Sequence, residues 1–560
     1  MNKSTSITPH SRRVFTSLLL AFSILITPIA AMAGTQRSEI RGQRSEQSST
    51  STATQSGTTK AAAKDVFVNP PVAAPPVGSV TATMTGTITT DVDSDTKADP
   101  GVDTITYTTT ITNNTGADVS GLQFTDTVDP HTTIISGSAV AAGDDAYSTI
   151  GNVNINLPLA QGVLANDFNP NTGNNTGLTV SSYGASTGLE QTSVGSSTPT
   201  AQGGTITIQS DGSFIFDPKV GFTGTDTFKY ASNQSGSKAI ATVRITVTGM
   251  IWFVKNDAAA CTTISTPCGT LAQPFSTLAA FQAVNDAGAG PPQHPKANDN
   301  IFIYTGVGNY TGGVTLLSGQ KLIGQGAPAS IEIITGLSTP SGSTVLPATG
   351  GTNPQITNTT ANSDAITLND GNTVEGLTVT GATRDGIAGA SHAGLTANTV
   401  TIQNNTASGL HLTSMTGTVT ITNATISGNA SGLDVDNGTA TITVTNSTIS
   451  GNGTGLDVNN GTTAISLNNT NTITANAAQR QVSIQNRPLT AGTIDVGAII
   501  NDSAVGSTGI LINSNTSGTI NFTGSQTLRT TTNTAVNLTT NTGTTINFSG
   551  TLGITTTTGI

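Results

Sequence analysis

The stretch ISGNASGLDV, residues 426–435, is repeated almost letter for letter as ISGNGTGLDV, residues 449–458. The offset between the two copies is 23 residues, and the same interval separates a series of glycines that are each followed by Ile or Leu. These glycines are Gly386, Gly409, Gly432 and Gly455. A fixed period of roughly 20 to 50 residues is typical of stacked structural units. The repeat therefore predicts a solenoid that uses 23 residues for each turn in this region.

Stacking determines what each repeated position does. Successive turns of a β-solenoid lie roughly 4.8 Å apart, so equivalent residues lie directly above one another. The residues after the glycines then form an apolar column inside the tube: Ile387, Leu410, Leu433 and Leu456. Stacked asparagines can form amide ladders at the turns, and the candidates are Asn423, Asn446 and Asn469. We expect the repeated glycines to supply positive φ angles at the turns.

Composition places the whole chain in the all-β class. Charged residues make up 9% and aromatic residues 4% of the 560 residues, whereas Gly numbers 63 and Thr, Ser and Asn are abundant throughout. Helical proteins need Ala, Leu, Glu and Lys, and this chain offers β-branched residues separated by Gly and Asn. The formal net charge of −11 argues against nucleic acid or an anionic lipid surface as the main partner.

The first 33 residues are predicted to be a cleavable signal peptide. Arg12 and Arg13 form a basic start, residues 18–29 are apolar, and Ala31-Met32-Ala33 is a small-x-small cleavage site. The pair of arginines leaves Sec and twin-arginine export open as alternatives. No later apolar run reaches about 18 residues, so the sequence predicts no transmembrane span after signal removal. We therefore expect a secreted or cell-surface protein.

Residues 34–78 are predicted to be a flexible linker, because Ser, Thr, Gln, Ala and Pro cannot bury enough apolar surface to offset the entropy lost on ordering. The two cysteines of the chain, Cys261 and Cys268, lie close together further on. An exported protein folds in an oxidising compartment, so we expect these two to form a disulfide. A zinc site is disfavoured, since two sulfurs with no nearby His do not complete one.

Residues 79–140 alternate in polarity, with Ile105, Tyr107, Thr109 and Ile111 on one face of a strand. The stretch ADPGVDTITYTTTITNNTGADVSGLQFTDTV, residues 98–128, resembles the Ig-like repeat domain of bacterial surface proteins known as DUF11. The resemblance covers about 60 residues and implies a β-sandwich without catalytic residues.

Residues 144–248 carry a second module. GVLANDFNP (162–170), GGTITIQSDGSFIFDP (203–218) and GFTGTDTFKY (221–230) resemble, in this order, the bacterial cadherin-like Ig domain of large adhesins. Some relatives in this class bind calcium, and the candidate ligands here are Asp145, Asp167 and Asp226. The alternative, which we favour, is that these aspartates hold turn backbones through their own carboxylates.

Residues 250–560 resemble right-handed parallel β-helix proteins of the pectate-lyase-like superfold. Residues 251–284 contain a first strand and a short predicted helix around 277–284, and the stretch NDNIFIYTGVGNYTGGVTLLSGQKLIGQG, residues 298–326, follows them. This order is similar to the capping helix and first coils that open such solenoids. A cap is physically required, because the first coil otherwise exposes an apolar strand edge. The pattern runs to Ile560 with no closing cap, which is typical of the leading part of a longer protein.

One face of the coils concentrates the polar candidates for function. In the register Gly-Leu-Asp-Val, alternation turns Leu433 inward and Asp434 outward. The predicted outer column contains His411, Asp434 and Asp457, with Asp436 and Asn459 two residues further along. Carboxylates within roughly 5–7 Å of one another have a spacing that glycosidases use and that also suits calcium. The alternative, which we favour, is a solvated polar face that is open to water.

The fold class predicted from the sequence is therefore all-β: two Ig-like sandwich modules followed by a right-handed parallel β-helix. We interpret the protein as a non-catalytic structural protein of the cell surface, with an extracellular glycan or surface protein as partner and calcium as the one candidate cofactor. The alternative is a β-helix polysaccharide lyase or glycoside hydrolase. Few Lys or Arg follow Lys321, and the signatures of pectin-cleaving enzymes are absent from the sequence, which favours the first interpretation.

Overall fold

The computed structural model describes residues 80–96, 98–99, 103–114, 135, 139–261, 268–286, 294–502 and 505–556, together with the backbone of five short strands. Those strands are Leu19–Pro28, Ser48–Ala53, Thr59–Ala62, Phe124–Thr127 and Thr132–Ile134. The regular secondary structure of the described residues is almost entirely β, as the composition predicts. Two short α-helices, Leu278–Gln282 and Ile331–Thr335, and a 3-10 turn at Leu159–Gln161 are the helical elements among them.

The N-terminal part forms a six-stranded antiparallel sheet with Val80–Thr90 and Thr104–Asn113 at its centre. Its other strands are Leu19–Pro28, Ser48–Ala53, Thr132–Ile134 and Val140–Gly143. A separate pair joins Thr59–Ala62 to Phe124–Thr127 in parallel. Three of these strands lie in the predicted signal peptide and linker. Cleavage of residues 1–33 as a signal peptide stays a prediction. An Ig-like sandwich for residues 79–140 also stays a prediction.

The next module is a two-sheet sandwich with its own core. One sheet contains Asp145–Gly151, Thr179–Gly184, Gly224–Gln234 and the long strand Ser237–Val254. The other contains Ile155–Leu157, Thr198–Pro199, Thr205–Ile208 and Phe214–Asp217. Aromatic side chains fill the space between the sheets, with Tyr147 packed edge-on against Phe214. An Ig-like fold for this module is therefore confirmed.

The third part is a β-solenoid of about 11 turns, built from three parallel sheets. Sheet 1 begins with the end of Ser237–Val254 and continues through Asn300–Ile303, Lys321–Gly324, Asn372–Glu375, Ala393–Asn398, Thr416–Thr422, Thr441–Thr445, Ala464–Leu467, Ile494–Val496, Thr519–Phe522 and Thr545–Phe548. Sheet 2 contains Asn309–Thr311, Gln355–Thr357, Thr378–Thr380, Thr401–Gln403, Thr425–Ser427, Thr448–Ser450, Thr472–Thr474, Ile499–Asn501, Gln526–Thr531 and Leu552–Thr556. Sheet 3 contains Val314–Thr315, Ile366–Thr367, Ile387–Ala390, Ser408–Thr413, Ser431–Asp436, Thr454–Asn459, Arg480–Gln485, Ile510–Asn513 and Val536–Thr539. Right-handedness and the pectate-lyase-like superfold stay predictions.

The predicted inner column is confirmed. Leu410 pairs with Leu433 and Leu433 with Leu456, each 23 residues apart, and all three side chains are fully buried. Beyond this point the turns lengthen, because Leu456 pairs with Val482 and Val482 with Ile510, which are 26 and 28 residues apart. The period read from the sequence therefore holds for the central turns and loosens toward the C-terminal end.

Glycine is required at the repeated positions for a different reason from the one predicted. Gly386, Gly409, Gly432 and Gly455 do not have positive φ, so our expectation for them is wrong. A Cβ on Gly432 would lie 2.5 Å from the Gly455 carbonyl oxygen and 2.7 Å from Ile449 Cγ2. The stacked turns leave no room for a side chain there. Positive φ falls instead on other turn residues, among them Asn423 and Asn446 and the glycines Gly428 and Gly451 earlier in the same repeats.

An amide ladder forms at the turns, but one of its three asparagines differs from the predicted set. Asn446 Nδ2 donates to Asn423 Oδ1 over 2.6 Å, and Asn423 Nδ2 donates to Asn398 Oδ1 over 3.2 Å. Asn469 is not the next rung: the Asn446 backbone N–H donates instead to the Thr470 hydroxyl. A second ladder, which we did not predict, is buried and joins Asn405, Asn429 and Asn452.

The predicted cap closes the first turn of the solenoid. Helix Leu278–Gln282 lies within the expected range, and its N-cap residue Thr277 accepts a hydrogen bond from the Ala280 N–H over 3.0 Å. Phe275 packs between Trp252 and Phe281, so aromatic rings cover the start of the tube. Cys261 and Cys268 are joined by a disulfide beside this core.

Replacing both cysteines by serine is expected to lower the free energy of unfolding by about 2.5 kcal/mol, the chain-entropy value for so short a loop. Denaturant unfolding of the native chain and the double variant measures the difference. A reductant should lower the midpoint of the native chain and leave that of the variant unchanged. Thiol labelling that modifies both cysteines of the unreduced, secreted protein would contradict the disulfide.

The sandwich and the solenoid share one strand. Ser237–Val254 pairs with Gly224–Gln234 over its first part and with Asn300–Ile303 over its last four residues. A segment inserted between the sheet 1 strand Lys321–Gly324 and the sheet 2 strand Gln355–Thr357 reaches back to the sandwich. Its Thr344 N–H donates to Asn154 O, and its Ser343 Oγ lies 3.0 Å from Thr149 Oγ1. An apolar cluster that includes Ile150, Val153, Ile251, Phe253 and Phe302 fills the junction. The two parts are thus continuous in both hydrogen bonding and core.

Candidate functional site

The outer face of sheet 3 gathers the polar residues that the repeat predicts. Register aligns His411 with Asp434, Asp434 with Asp457, and Asp457 with Ser483 on successive turns. Thr413, Asp436 and Asn459 form the neighbouring column. Sequence alternation thus places these side chains on one surface, which we call the acidic face.

His411 is the centre of this face. Its Nδ1 lies 3.1 Å from Asp385 Oδ2, and its Nε2 lies 3.3 Å from Asp436 Oδ2 and 2.9 Å from the Thr413 hydroxyl. Asp434 lies on the same side, where its Oδ2 accepts a hydrogen bond from Ser408 Oγ over 2.7 Å. The imidazole therefore touches carboxylates from two different turns of the solenoid.

Asp385 is a member of the site that sequence reasoning missed. It is buried, and its Oδ1 accepts a hydrogen bond from the Ser408 backbone N–H over 2.8 Å. Arg384 forms an ion pair with Asp364 and lies 3.6 Å from Asp385. The Arg384-Asp385 pair directly before the repeated Gly386 is the signal that marks this turn as different from the others.

These contacts shift the pKa values of the face in opposite directions. The hydrogen bond to Asp385, reinforced by the charges of Asp434 and Asp385, raises the pKa of His411 to about 9 against the cost of burial. Burial raises the pKa of Asp434 to about 6 and also raises the pKa of Asp457. For Asp385, burial is outweighed by the hydrogen bonds from His411 and Ser408, and its pKa is lowered. These shifts express the attraction between the imidazole and the carboxylates around it.

The expectation that Asp434 and Asp457 are open to water is wrong in part. Both residues are half-buried, and Asp457 Oδ1 is buried without a hydrogen-bond partner in the part of the chain that the structure describes. Arg480 lies near Asp457, whose charge opposes the lowering of the Arg480 pKa by burial. The face therefore has a cation at each end, Arg384 and Arg480, which the low overall count of basic residues did not suggest.

The three calcium candidates of the sandwich do not form one site. Asp226 fastens a turn, because its carboxylate accepts hydrogen bonds from the Thr200 hydroxyl and the Gln202 N–H over 2.5 and 2.9 Å. This is the turn-holding alternative that we favoured. Asp145 and Asp167 lie next to each other in the core instead.

Asp145 and Asp167 form a buried carboxyl pair. Tyr230 donates its hydroxyl to Asp167 Oδ1 over 2.9 Å, and Tyr147 donates to Asp145 Oδ1 over 3.3 Å. The second oxygen of each carboxyl is buried without a partner among the described residues. Burial, together with the charge of Asp167, raises the pKa of Asp145 well above its usual range, and burial raises that of Asp167 to about 7. Calcium at this pair stays a prediction.

A further group of carboxylates lies in the N-terminal part and escaped the sequence reading. Five aspartates occupy a 13-residue loop between two strands: Asp91, Asp93, Asp95, Asp99 and Asp103. Carboxylate oxygens of Asp91, Asp93 and Asp95, and of Asp93, Asp99 and Asp103, come within 4.8 Å of one another. Such an oxygen set suits calcium, and the alternating Asp-x-Asp-x-Asp spacing was the signal that could have found it.

Comparison with known proteins identifies one part of the chain. Residues 137–249 match the family of bacterial cadherin-like domains. The match covers the sandwich, including the three motifs that carried the resemblance, and extends the predicted 144–248 boundary at both ends. Neither the comparison with curated proteins nor that with solved structures found a match. The DUF11 resemblance of residues 79–140 stays a prediction.

Membrane crossing by a helix was also considered. Within the described ranges, neither α-helix exceeds five residues, and none has the length and apolar character that spanning a membrane requires. A cadherin-like domain combined with a β-solenoid fits a surface or adhesin-like protein.

Proposed function

We propose that the chain is an exported, non-catalytic surface protein that adheres to an extracellular glycan or surface protein. The observation that carries this proposal is the strand Ser237–Val254, which is shared by the cadherin-like sandwich and the solenoid. Parts joined by one strand and one apolar core move together. Such a joint suits a rod that holds a binding surface at a distance from a cell.

The composition of the solenoid supports the same proposal. Its exposed strand positions carry mostly Thr, Ser and Asn, as in Thr425–Ser427 and Thr448–Ser450. A polar and uncharged surface of this kind remains soluble while it offers many hydroxyl and amide groups to a partner. The acidic face is the charged exception on sheet 3, and we propose it as the contact surface.

Bacteria that display the full chain should attach to surfaces coated with glycans or matrix proteins. We expect a variant with His411→Gln, Asp434→Asn, Asp436→Asn and Asp457→Asn to bind at least about tenfold more weakly, which corresponds to about 1.4 kcal/mol. A matched control is Asp370→Asn with His392→Gln, which removes a similar pair outside sheet 3. Attachment under flow and antibody labelling of intact cells are the measurements.

Two results would contradict the proposal. Antibody labelling that appears only after cell lysis would oppose export, and a reporter fused to residues 1–33 tests the leader directly. Displayed protein that attaches to no coated surface would oppose adhesion.

A polysaccharide-active enzyme is the second candidate, and one observation favours it. Glycosidases use a carboxyl whose pKa is raised together with a second carboxylate, and Asp434, with its pKa of about 6, lies beside Asp436 and Asp457. Incubation of the chain with pectins, alginates and neutral glycans tests this function. New reducing ends or unsaturated products that disappear in Asp434→Asn or Asp457→Asn would replace adhesion by catalysis.

A further inference from the structure

The acidic face contains a compact group of mixed ligand atoms. His411, Asp434 and Asp436 each offer one atom, and these atoms all lie within 4.8 Å of one another. They come from two adjacent strands, Ser408–Thr413 and Ser431–Asp436, whose parallel register is fixed by the buried leucines between them. Side chains on neighbouring strands of a packed sheet have little freedom to move apart.

The imidazole is oriented by a residue outside this group. His411 Nδ1 faces Asp385 at 3.1 Å, and Asp385 is itself buried and held by the Ser408 N–H. Metal-binding histidines almost always donate their second ring N–H to a carboxylate, a backbone carbonyl or water, and Asp385 is such a partner. Nε2 faces Asp436 Oδ2 at 3.3 Å and the Thr413 hydroxyl at 2.9 Å. One ring nitrogen is thus held by the buried carboxylate, and the other faces an oxygen of the group of three.

We propose that His411, Asp434 and Asp436 bind a divalent transition-metal ion of the zinc type, with Asp385 as the positioning residue. The imidazole nitrogen decides the class of ion, because zinc accepts nitrogen and carboxylate ligands together. Calcium takes six to eight oxygen ligands and does not favour imidazole. Three protein ligands also leave a coordination position open to water or to an oxygen of a partner.

This site differs from the calcium site at Asp434 and Asp457 that the sequence suggested. Asp457 lies one turn beyond Asp434 and is not a member of the group of three. The proposal does not depend on adhesion, since a metal can bind whether or not the face contacts a partner. Failure of one therefore leaves the other standing.

Zinc titration of the full chain, purified without a histidine tag, tests the site. Calorimetry should show one bound ion fewer in His411→Gln and in Asp434→Asn than in the native chain. Asp385→Asn should weaken the same site by about 10–100-fold, as loss of an orienting carboxylate does. The control His392→Gln removes a histidine that lies 3.5 Å from Asp370, and it should leave binding unchanged.

Cobalt supplies a second readout that does not depend on one variant. Visible absorption of bound Co²⁺ should appear in the native chain, persist in a hundredfold excess of calcium and vanish in Asp434→Asn. This variant decides the question if His411→Gln does not fold. Native stoichiometry in both ligand variants would overturn the proposal. Displacement of cobalt by calcium would overturn the transition-metal class and restore an oxygen-only site.

Discussion

Gly432→Val is expected to destabilise the solenoid by about 3 kcal/mol or more, the upper end of the range for overpacked sites. The reason is that a Cβ at this position meets the Gly455 carbonyl oxygen of the next turn at 2.5 Å. A backbone oxygen cannot rotate away as a side chain can. Leu433 and Leu456 of the inner column then lose packing contacts on both sides of the inserted side chain. Denaturant unfolding followed by far-UV circular dichroism, together with protease resistance, measures the effect.

A matched substitution separates crowding from the loss of glycine itself. Gly553 also lies on a solenoid strand without positive φ, but the nearest atom to its Cβ would be 3.7 Å away. We expect Gly553→Val, the same substitution at this exposed position, to change stability little. Equal stability of Gly432→Val and the native chain would show that the repeated glycine has no steric role.

Stability of the cadherin-like sandwich is expected to fall as the pH rises from about 4 to about 7. Burial raises the pKa of Asp167 to about 7 in the folded state, against 3.8 when exposed. The folded state therefore binds the proton more tightly, and its contribution is complete below pH 4 and lost as the pH passes 7. A pKa shift of this size corresponds to a contribution on the order of 4 kcal/mol to the free energy of unfolding. Thermal unfolding at a series of pH values measures the loss.

The isosteric variant Asp167→Asn tests the cause, because an amide cannot ionise and keeps the shape of the neutral acid. We expect its stability to change less over this pH range than that of the native chain, and the dependence that remains is due to Asp145, whose pKa burial also raises. The control Asp211→Asn removes an exposed turn carboxyl whose pKa is lowered by hydrogen bonds from Ser213, so it does not titrate in this window. The opposite result would be a native sandwich that gains stability toward pH 8 in excess calcium and loses it with chelator. That result would show that Asp145 and Asp167 bind calcium instead.

Patterns that repeat along the chain were sufficient for much of the fold. A 23-residue period predicts which residues stack, and two-residue alternation predicts that Leu433 points inward and Asp434 outward. Both hold in the central turns, because parallel pairing there joins equivalent residues of successive turns. The cadherin-like module was recognisable because its motifs lie in short, continuous segments. The alternating aspartates of residues 91–103 form a short, continuous pattern of the same kind and could also have been found from the sequence.

Contacts between turns decided what local pattern could not. Asp385 and His411 are 26 residues apart, and only the stacked register and the buried position of Asp385 bring their side chains together. The reason for Gly432 was misjudged because a turn residue and a residue crowded by its neighbouring turn look the same in one dimension. Likewise, the raised pKa of Asp167 depends on how much protein surrounds the carboxyl. Period and alternation are properties of neighbouring residues and were set by the sequence alone, whereas burial, crowding and charge depend on three-dimensional distance and were decided only by the tertiary structure.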